Sequence, residues 1–190
     1  WAKSYGNFNH PHRFLISSFL KSFNWISLFE IGCGAGANLV RIVKDIPGRQ
    51  VGGIDINPKA IETAKSFLTG AILKVGSADD ILMSDDSADV VLTDMALIYI
   101  APRDIKKVVR EIIRITRDRV VFCEFYHSRW IKRLALRFRT GYNGYDWEKL
   151  LKEFGCYDIE MYKITEQWWP GGQPQKDFAW LITAKVPRRK

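Results

Sequence analysis

Cysteine is scarce in this chain: Cys33, Cys123 and Cys156 are the only three among 190 residues. An odd count with no close pair excludes a disulfide-built fold and a cysteine-rich zinc site. It points instead to a reducing, intracellular setting, with cytoplasmic residence the expectation. Histidine is as rare, again three residues. His10 and His12 stand together without a third ligand, so no metal site is expected. No apolar run reaches the roughly 18 residues of a membrane span, and no signal-peptide pattern is visible. The chain starts at Trp1 rather than Met, so its natural start is expected further upstream. Acids are outnumbered, 21 against 29 basic residues, which leaves a formal charge of +8. That balance points towards an anionic partner: nucleic acid, a phosphate-bearing metabolite or a membrane surface. The basic end Arg188-Arg189-Lys190 reads as a solvated tail. The length suits one domain, residues 1–190, able to bury roughly 70% of its unfolded surface.

What is present is organised around Leu28-Phe29-Glu30-Ile31-Gly32-Cys33-Gly34-Ala35-Gly36. An apolar run of strand length, residues 25–31, ends in three glycines at alternate positions. Leu39, Ile42, Val43 and Ile46 then repeat at helical spacing. Strand, glycine turn and helix form the first half of a βαβ unit. Glycines suit a turn that needs positive φ and a backbone that must approach a ligand closely. The next strand, Val51-Gly52-Gly53-Ile54-Asp55, closes on a carboxylate about twenty positions beyond the turn, where it can bind the two hydroxyls of a ribose. A nucleoside-containing cofactor is the expectation.

Gly32, Gly34 and Ala37 also fit the dinucleotide pattern G-x-G-x-x-A, which keeps a NAD-dependent oxidoreductase open as an alternative. Glu30, two positions before the first glycine, completes Glu-x-Gly-x-Gly-x-Gly. In this form the run resembles motif I of the class I S-adenosylmethionine-dependent methyltransferases, of the small-molecule, type 11/12-like kind. A carboxylate aimed into the turn would repel a pyrophosphate but suits a cofactor carrying an ammonium and a sulfonium. The resemblance implies S-adenosylmethionine as cofactor, held by Glu30, Gly32, Cys33, Gly34, Gly36, Asp55 and Ile56. Gly76-Ser77-Ala78-Asp79-Asp80 follows the third strand. By the same resemblance Asp79 is the acid that reaches the adenine amino group, with Ala78 beside the ring; a short helix over 80–83 capped by the acid is the other reading. The run Thr93-Asp94-Met95-Ala96-Leu97-Ile98-Tyr99-Ile100 is similar to motif IV of the small-molecule enzymes, which adds Thr93 and Asp94. It lacks the Pro-Pro-Tyr of the amino-methylating nucleic-acid enzymes, and no Pro-Cys nucleophile occurs.

Along the chain, residues 1–24 read as a leading loop and helix, the helix opened by Pro11. Asn57-Pro58 starts a helix that buries Ala60, Ile61, Ala64 and Phe67. Strands follow at 71–75, 88–93 and 119–125. A helix opened by Pro102 carries Ile105, Val108, Val109, Ile112 and Ile113 on one face. Residues 127–155 supply substrate-side helices, the second closed by Gly155. Strands at 156–165 and 177–186 end the chain. Successive βα units predict an α/β fold, a Rossmann-like doubly wound sheet in three αβα layers. The resemblance implies seven strands in the order 3-2-1-4-5-7-6, the last antiparallel.

Methyl transfer needs alignment more than acid catalysis, and a base only where the accepting atom carries a proton to lose. The candidates for that base are His127, Glu124 and Asp94, each at the carboxyl end of a strand. Tyr99 is a positioning group. Residues 129–139 interleave Arg129, Lys132, Arg133, Arg137 and Arg139 with Trp130, Leu134 and Phe138, which predicts a helix with one apolar stripe. It reads either as a core-packed helix with a solvated basic side or as a lid offering cations to an anionic substrate or membrane headgroups. Trp130, Arg133, Trp168 and Trp169 complete the expected substrate side. The acceptor is expected to be a small molecule, a peptide or a lipid-linked molecule, with RNA as the alternative. A non-catalytic binding subunit on the same fold is a further reading.

Overall fold

The computed structural model describes residues 8–188. Helix α1 (Pro11–Leu20) leads, with Pro11 in its first turn and His10 as N-cap. Then follow β1 (Ser27–Ile31), α2 (Ala37–Asp45), β2 (Gln50–Asp55), α3 (Pro58–Phe67), β3 (Ile72–Val75) and β4 (Ala88–Asp94). A 3₁₀ turn (Leu97–Tyr99) precedes α4 (Ile105–Ile115) and β5 (Thr116–Phe125). The last part holds α5 (Trp130–Thr140), α6 (Trp147–Glu153), β6 (Tyr157–Lys163), a four-residue helix α7 (Gln175–Phe178) and β7 (Ala179–Lys185).

The seven strands form one sheet in the order β3-β2-β1-β4-β5-β7-β6, with β7 antiparallel to both its neighbours. The order reverses between β1 and β4, and in such sheets the crevice outside the carboxyl ends at that point receives ligands. Strand residues alternate between the two faces, as the pleat requires. Phe29, Ile31, Val91, Val120 and Phe122 pack with α4 and α6. Leu28, Val90, Leu92, Val121 and Cys123 pack with α1, α2 and α3. By this alternation Glu30 and Asp94 fall on the α1–α2 side, which decides their partners.

The structure departs from the expectations at several points. No helix covers 80–83; Ser77 and Asp80 form an isolated antiparallel bridge instead. Val43 and Phe67 are exposed. Helix α2 is rotated so that Asn38 faces the sheet, where it bonds Glu30 and Asp94. This carries Val43 past the edge of the buried face. Pro102 lies in the turn before α4, which starts after Asp104. The largest departure is α5: Leu136 is its single buried residue, while Trp130, Ile131, Leu134 and Phe138 are exposed. Its apolar stripe is therefore not a core contact.

Candidate functional site

The glycine turn after β1 is shaped by two different demands. Gly32, Gly34 and Gly36 all have positive φ, 71°, 53° and 79°. A Cβ on Gly32 would lie 2.4 Å from that of Ala96, so Gly32 lets the loop after β4 come close. A Cβ on Gly36 would lie 2.8 Å from Leu68 Cδ1, which makes Gly36 a packing residue between α2 and the end of α3. Gly34 lines the cavity together with Asp55. Its N–H donates to Asp55 Oδ2 at 2.9 Å, and the N–H of Asn57 donates to Asp55 Oδ1 at 2.9 Å. The turn and the strand-end carboxylate are thus fixed as one unit.

This unit forms the floor of a cavity of about 650 Å³ at the carboxyl ends of the strands. Gly32, Gly34, Asp55, Ile56, Ser77 and Ala78 line one part. Met95, Leu97, Ile98, Tyr99, Tyr142 and Trp169 line the other, with His10, His12, Arg13 and Asp94 among them. An apolar wall with a few converging polar groups is the usual make-up of a small-molecule site.

The polar groups form one connected network. Asp94 Oδ2 accepts from Asn38 Nδ2 at 2.9 Å and from Arg13 Nη1 at 3.4 Å, and lies 2.8 Å from His12 Nε2. Asn38 Nδ2 also donates to Glu30 Oε1 at 2.6 Å, and Arg13 Nη1 donates to Asn38 Oδ1. The Nδ1 atoms of His10 and His12 are 2.5 Å apart, and the Trp169 ring lies 4.1 Å from His12 and 5.0 Å from His10. Burial alone would push the Asp94 carboxyl up; the His12 and Arg13 charges and the Asn38 bond hold it well below the usual carboxylate range. Glu30 is pushed up to about 8, by burial first and then by the nearby Asp94 charge, and its Oε2 has no partner. His10 is pushed down to about 4, by burial and then by His12 and Arg13, so its ring is neutral near pH 7.

The sequence candidates divide sharply around this cavity. Gly32, Gly34, Asp55, Ile56, Ala78, Asp94, Tyr99 and Trp169 line it. Glu30, Cys33, Gly36 and Thr93 sit behind it; burial pushes the Cys33 thiol up. Asp79 is off the wall, its carboxylate paired with Lys107 Nζ at 2.9 Å and accepting from Ser77 Oγ. Glu124 is buried behind the wall, where its Oε1 accepts from the N–H groups of Ala96 and Leu97 at 3.0 and 3.1 Å. It is pushed up to about 8, burial being the largest cause. His127 is away from the cavity; its Nδ1 accepts from the N–H of Arg129. Trp130 and Arg133 line a separate groove, and Arg133 donates to the carbonyls of His127 and Ser128. Trp168 packs against the α1–α3 core cluster without reaching the wall.

Sequence reading passed over Arg13, Asn38 and the site role of His10 and His12. The one signal was the position of the two histidines at the start of the leading helix. Among the described residues no group of three or more His, Cys, Asp and Glu could hold a metal. One Tyr-x-x-x-Lys spacing of the kind oxidoreductases use does occur, Tyr145 and Lys149. Neither lines the cavity, and the Tyr145 hydroxyl donates to the Ile100 carbonyl.

Three carboxylates, Glu30, Asp55 and Asp94, lie on or just behind the cavity wall, and only Asp94 is matched by nearby cations. An unpartnered buried Glu30 oxygen beside a positive-φ glycine turn fits a ligand bearing an ammonium and a sulfonium, and is a poor match for a pyrophosphate.

Comparison with known proteins agrees. Residues 28–119 match the methyltransferase domain family. A stretch of 66 residues, 35% of this chain, is 33% identical to ribosomal RNA small subunit methyltransferase C of Buchnera aphidicola, and spans about a fifth (20%) of that relative's length. Among solved structures, a chain of the complex between the Haloferax volcanii Trm112 methyltransferase activator and its methyltransferase superposes with a TM-score of 0.77 at 17% identity, covering 100% of this chain and 95% of that one. Geranyl diphosphate methyltransferase, solved in complex with S-adenosylmethionine, gives a TM-score of 0.70 at 14% identity, covering 92% and 84%. With the strand order, the glycine turn and its strand-end acid in place, residues 28–119 match a methyltransferase domain, and the chain has the Rossmann-like fold of the solved methyltransferases.

Proposed function

We propose that the protein binds S-adenosylmethionine on the floor formed by Gly32, Gly34, Asp55, Ile56 and Ala78, and methylates an acceptor seated against Tyr99, Tyr142 and Trp169. The observation that carries this reading is the bond from the Gly34 N–H to Asp55, which presents turn and carboxylate together at the cavity floor. When bound, the cofactor supplies a methyl group on a positive sulfur that leaves as a neutral thioether. The chain's own residues align and exclude water; alignment in a dry site is worth ~7–11 kcal/mol of such a barrier. Asp55 holds the ribose hydroxyls, and Glu30, raised to about 8, offers the cofactor's ammonium an unpartnered oxygen from behind the wall. His10, neutral and held through His12 by Asp94, lines the wall against which the acceptor sits. Glu124 acts at one remove, fixing the loop after β4 through its two N–H groups.

The acceptor is a small or medium-sized molecule, and a lipid-linked or peptide acceptor fits the same wall. The apolar character of that wall supports this, as does a similar fold in an enzyme that takes geranyl diphosphate. RNA is the second reading, favoured by the partial match to a ribosomal RNA methyltransferase. Calorimetric titration with S-adenosylmethionine and, separately, NAD tests the cofactor. Saturable binding of the former alone is expected, and binding of NAD alone would overturn the reading. Labelled methyl transfer to metabolite, lipid, peptide and RNA pools then distinguishes the acceptor classes.

A further inference from the structure

Helix α5 is the feature that neither the cavity nor the core accounts for. Trp130 is 64% exposed, Ile131 54%, Leu134 43% and Phe138 83%, while Leu136 is 2% exposed. At 3.6 residues per turn the four exposed apolar residues fall within an arc of about 100°, and Leu136 lies on the opposite side. Arg133 and Arg137 flank that arc on one edge, while Lys132 and Arg139 lie further round, towards the Leu136 side. No acidic residue occurs anywhere between Glu124 and Asp146. A groove of about 460 Å³ beside the helix has Lys106 and Lys149 on its far wall together with Asp146 and Glu153, the last paired with Lys106. Arg133 ties the start of the helix down by donating to the carbonyls of His127 and Ser128 at 2.6 and 2.8 Å. The outward stripe is thus a held orientation.

We propose that α5 is a docking element for an anionic membrane surface. In this arrangement Trp130, Ile131, Leu134 and Phe138 enter the boundary between headgroups and acyl chains, and the flanking cations meet lipid phosphates. Charge selects this occupant over the others. A second copy of the chain would bring like-charged helices face to face. RNA would satisfy the cations but leave Ile131 and Leu134 in water, because aliphatic side chains offer bases nothing to stack on. An anionic bilayer answers both features at once, and an apolar face edged by Lys and Arg is the usual form of an interfacial helix.

The position of α5 gives docking a consequence. Directly after Gly141, Tyr142 lines the main cavity. Asn143 Nδ2 donates to the carbonyls of Ile98 and Ile100 at 3.3 and 2.9 Å, on the opposite wall segment. A chain docked through α5 therefore holds its cavity wall against the membrane. The docking claim does not depend on the methyltransferase reading, since its test measures lipid binding alone.

The test is co-sedimentation with vesicles of phosphatidylcholine alone and of phosphatidylcholine mixed with phosphatidylglycerol. Binding to the anionic vesicles, and little to the neutral ones, is expected. Trp130→Ser combined with Phe138→Ser should lower the partition coefficient roughly tenfold or more. Arg137→Gln combined with Arg139→Gln should lower it about fivefold for each arginine. Circular dichroism checks that the variants fold, and Leu134→Gln is the second apolar variant should the double one fail. Absence of binding to anionic vesicles overturns the proposal. So does unchanged binding by the apolar variants, self-association of the parent that those variants abolish, or displacement from vesicles by structured RNA.

Discussion

His12 Nε2 lies 2.8 Å from Asp94 Oδ2, although 82 positions separate them in the chain. The leading helix is thereby locked to the end of the central strand β4 across the mouth of the cavity. His12→Ala leaves Asp94 buried with only Asn38 and Arg13, and removes the ring on which Trp169 stacks. Breaking a buried pair in this way costs about 3 kcal/mol or more. The depressed Asp94 carboxyl contributes stability that is present above the ordinary carboxylate range and lost as pH falls through its lowered value. In the variant that loss begins at higher pH. Urea titrations at pH 7 and pH 4 measure both effects; equal stability of variant and parent would show the contact to be idle.

Glu30 and Glu124 work in the opposite direction. Both are pushed up to about 8 from an ordinary value near 4.5. A carboxyl raised on folding favours the folded chain below its unfolded value, and loses that advantage as pH rises from about 4.5 to about 8. Glu30→Gln and Glu124→Gln mimic the protonated forms. Each variant should melt close to the parent at pH 5 and above it at pH 8.5. A parallel pair of pH profiles would mean that these groups ionise without penalty.

The cofactor floor can be tested apart from stability. Asp55→Asn keeps the shape but loses the charge, and should weaken S-adenosylmethionine binding by about 1.5–3 kcal/mol, the range for a hydrogen bond to a charged group. Gly34→Val puts a branched side chain on the cavity wall at a positive-φ position and should abolish binding in a chain that still folds. Calorimetry reads both. Undiminished affinity in either variant would move the cofactor off this floor.

The strands and the glycine turn were legible because each rests on local chemistry: apolar runs of strand length, positive-φ glycines, Asn57 as a cap; the strand order followed only from the family resemblance. Asp55 was legible for the same reason, since a strand-end acid next to such a turn has few other uses. His127 and Glu124 share the strand-end address of Asp94 yet serve elsewhere. Address along a strand does not say which face a side chain takes, nor which loop claims it. Arg13 and Asn38 left no local mark, because they matter only once α1 and α2 meet over β1 and β4. The stripe of α5 was legible as a stripe. Whether it faces core or water depends on the single contact of Leu136, which no periodicity reveals.

The last prediction concerns the acceptor. The main cavity offers an anion little: Arg13 is committed to Asp94 and Asn38, and His10 is neutral. Arg133 and Arg137, the natural choices for holding a phosphate, line the separate groove. The reactive end of the acceptor is therefore expected to be uncharged or apolar, lying against Tyr99, Tyr142 and Trp169, with any anionic group kept outside. Trp169→Ala removes a large part of that wall. It should raise the acceptor KM at least tenfold while S-adenosylmethionine affinity changes by less than about a factor of three. His10→Gln should instead change kcat and KM by less than about a factor of three, because the ring's one lone pair is already engaged by His12 and the wall stays in place. An RNA acceptor would reverse the pattern. Binding would fall steeply with salt as counterions are displaced, and Trp169→Ala would matter little beside the loss of surface cations. Steady-state kinetics of the two variants at 50 and 200 mM salt decide between these outcomes, and a steep salt slope in the parent would sink the small-acceptor reading.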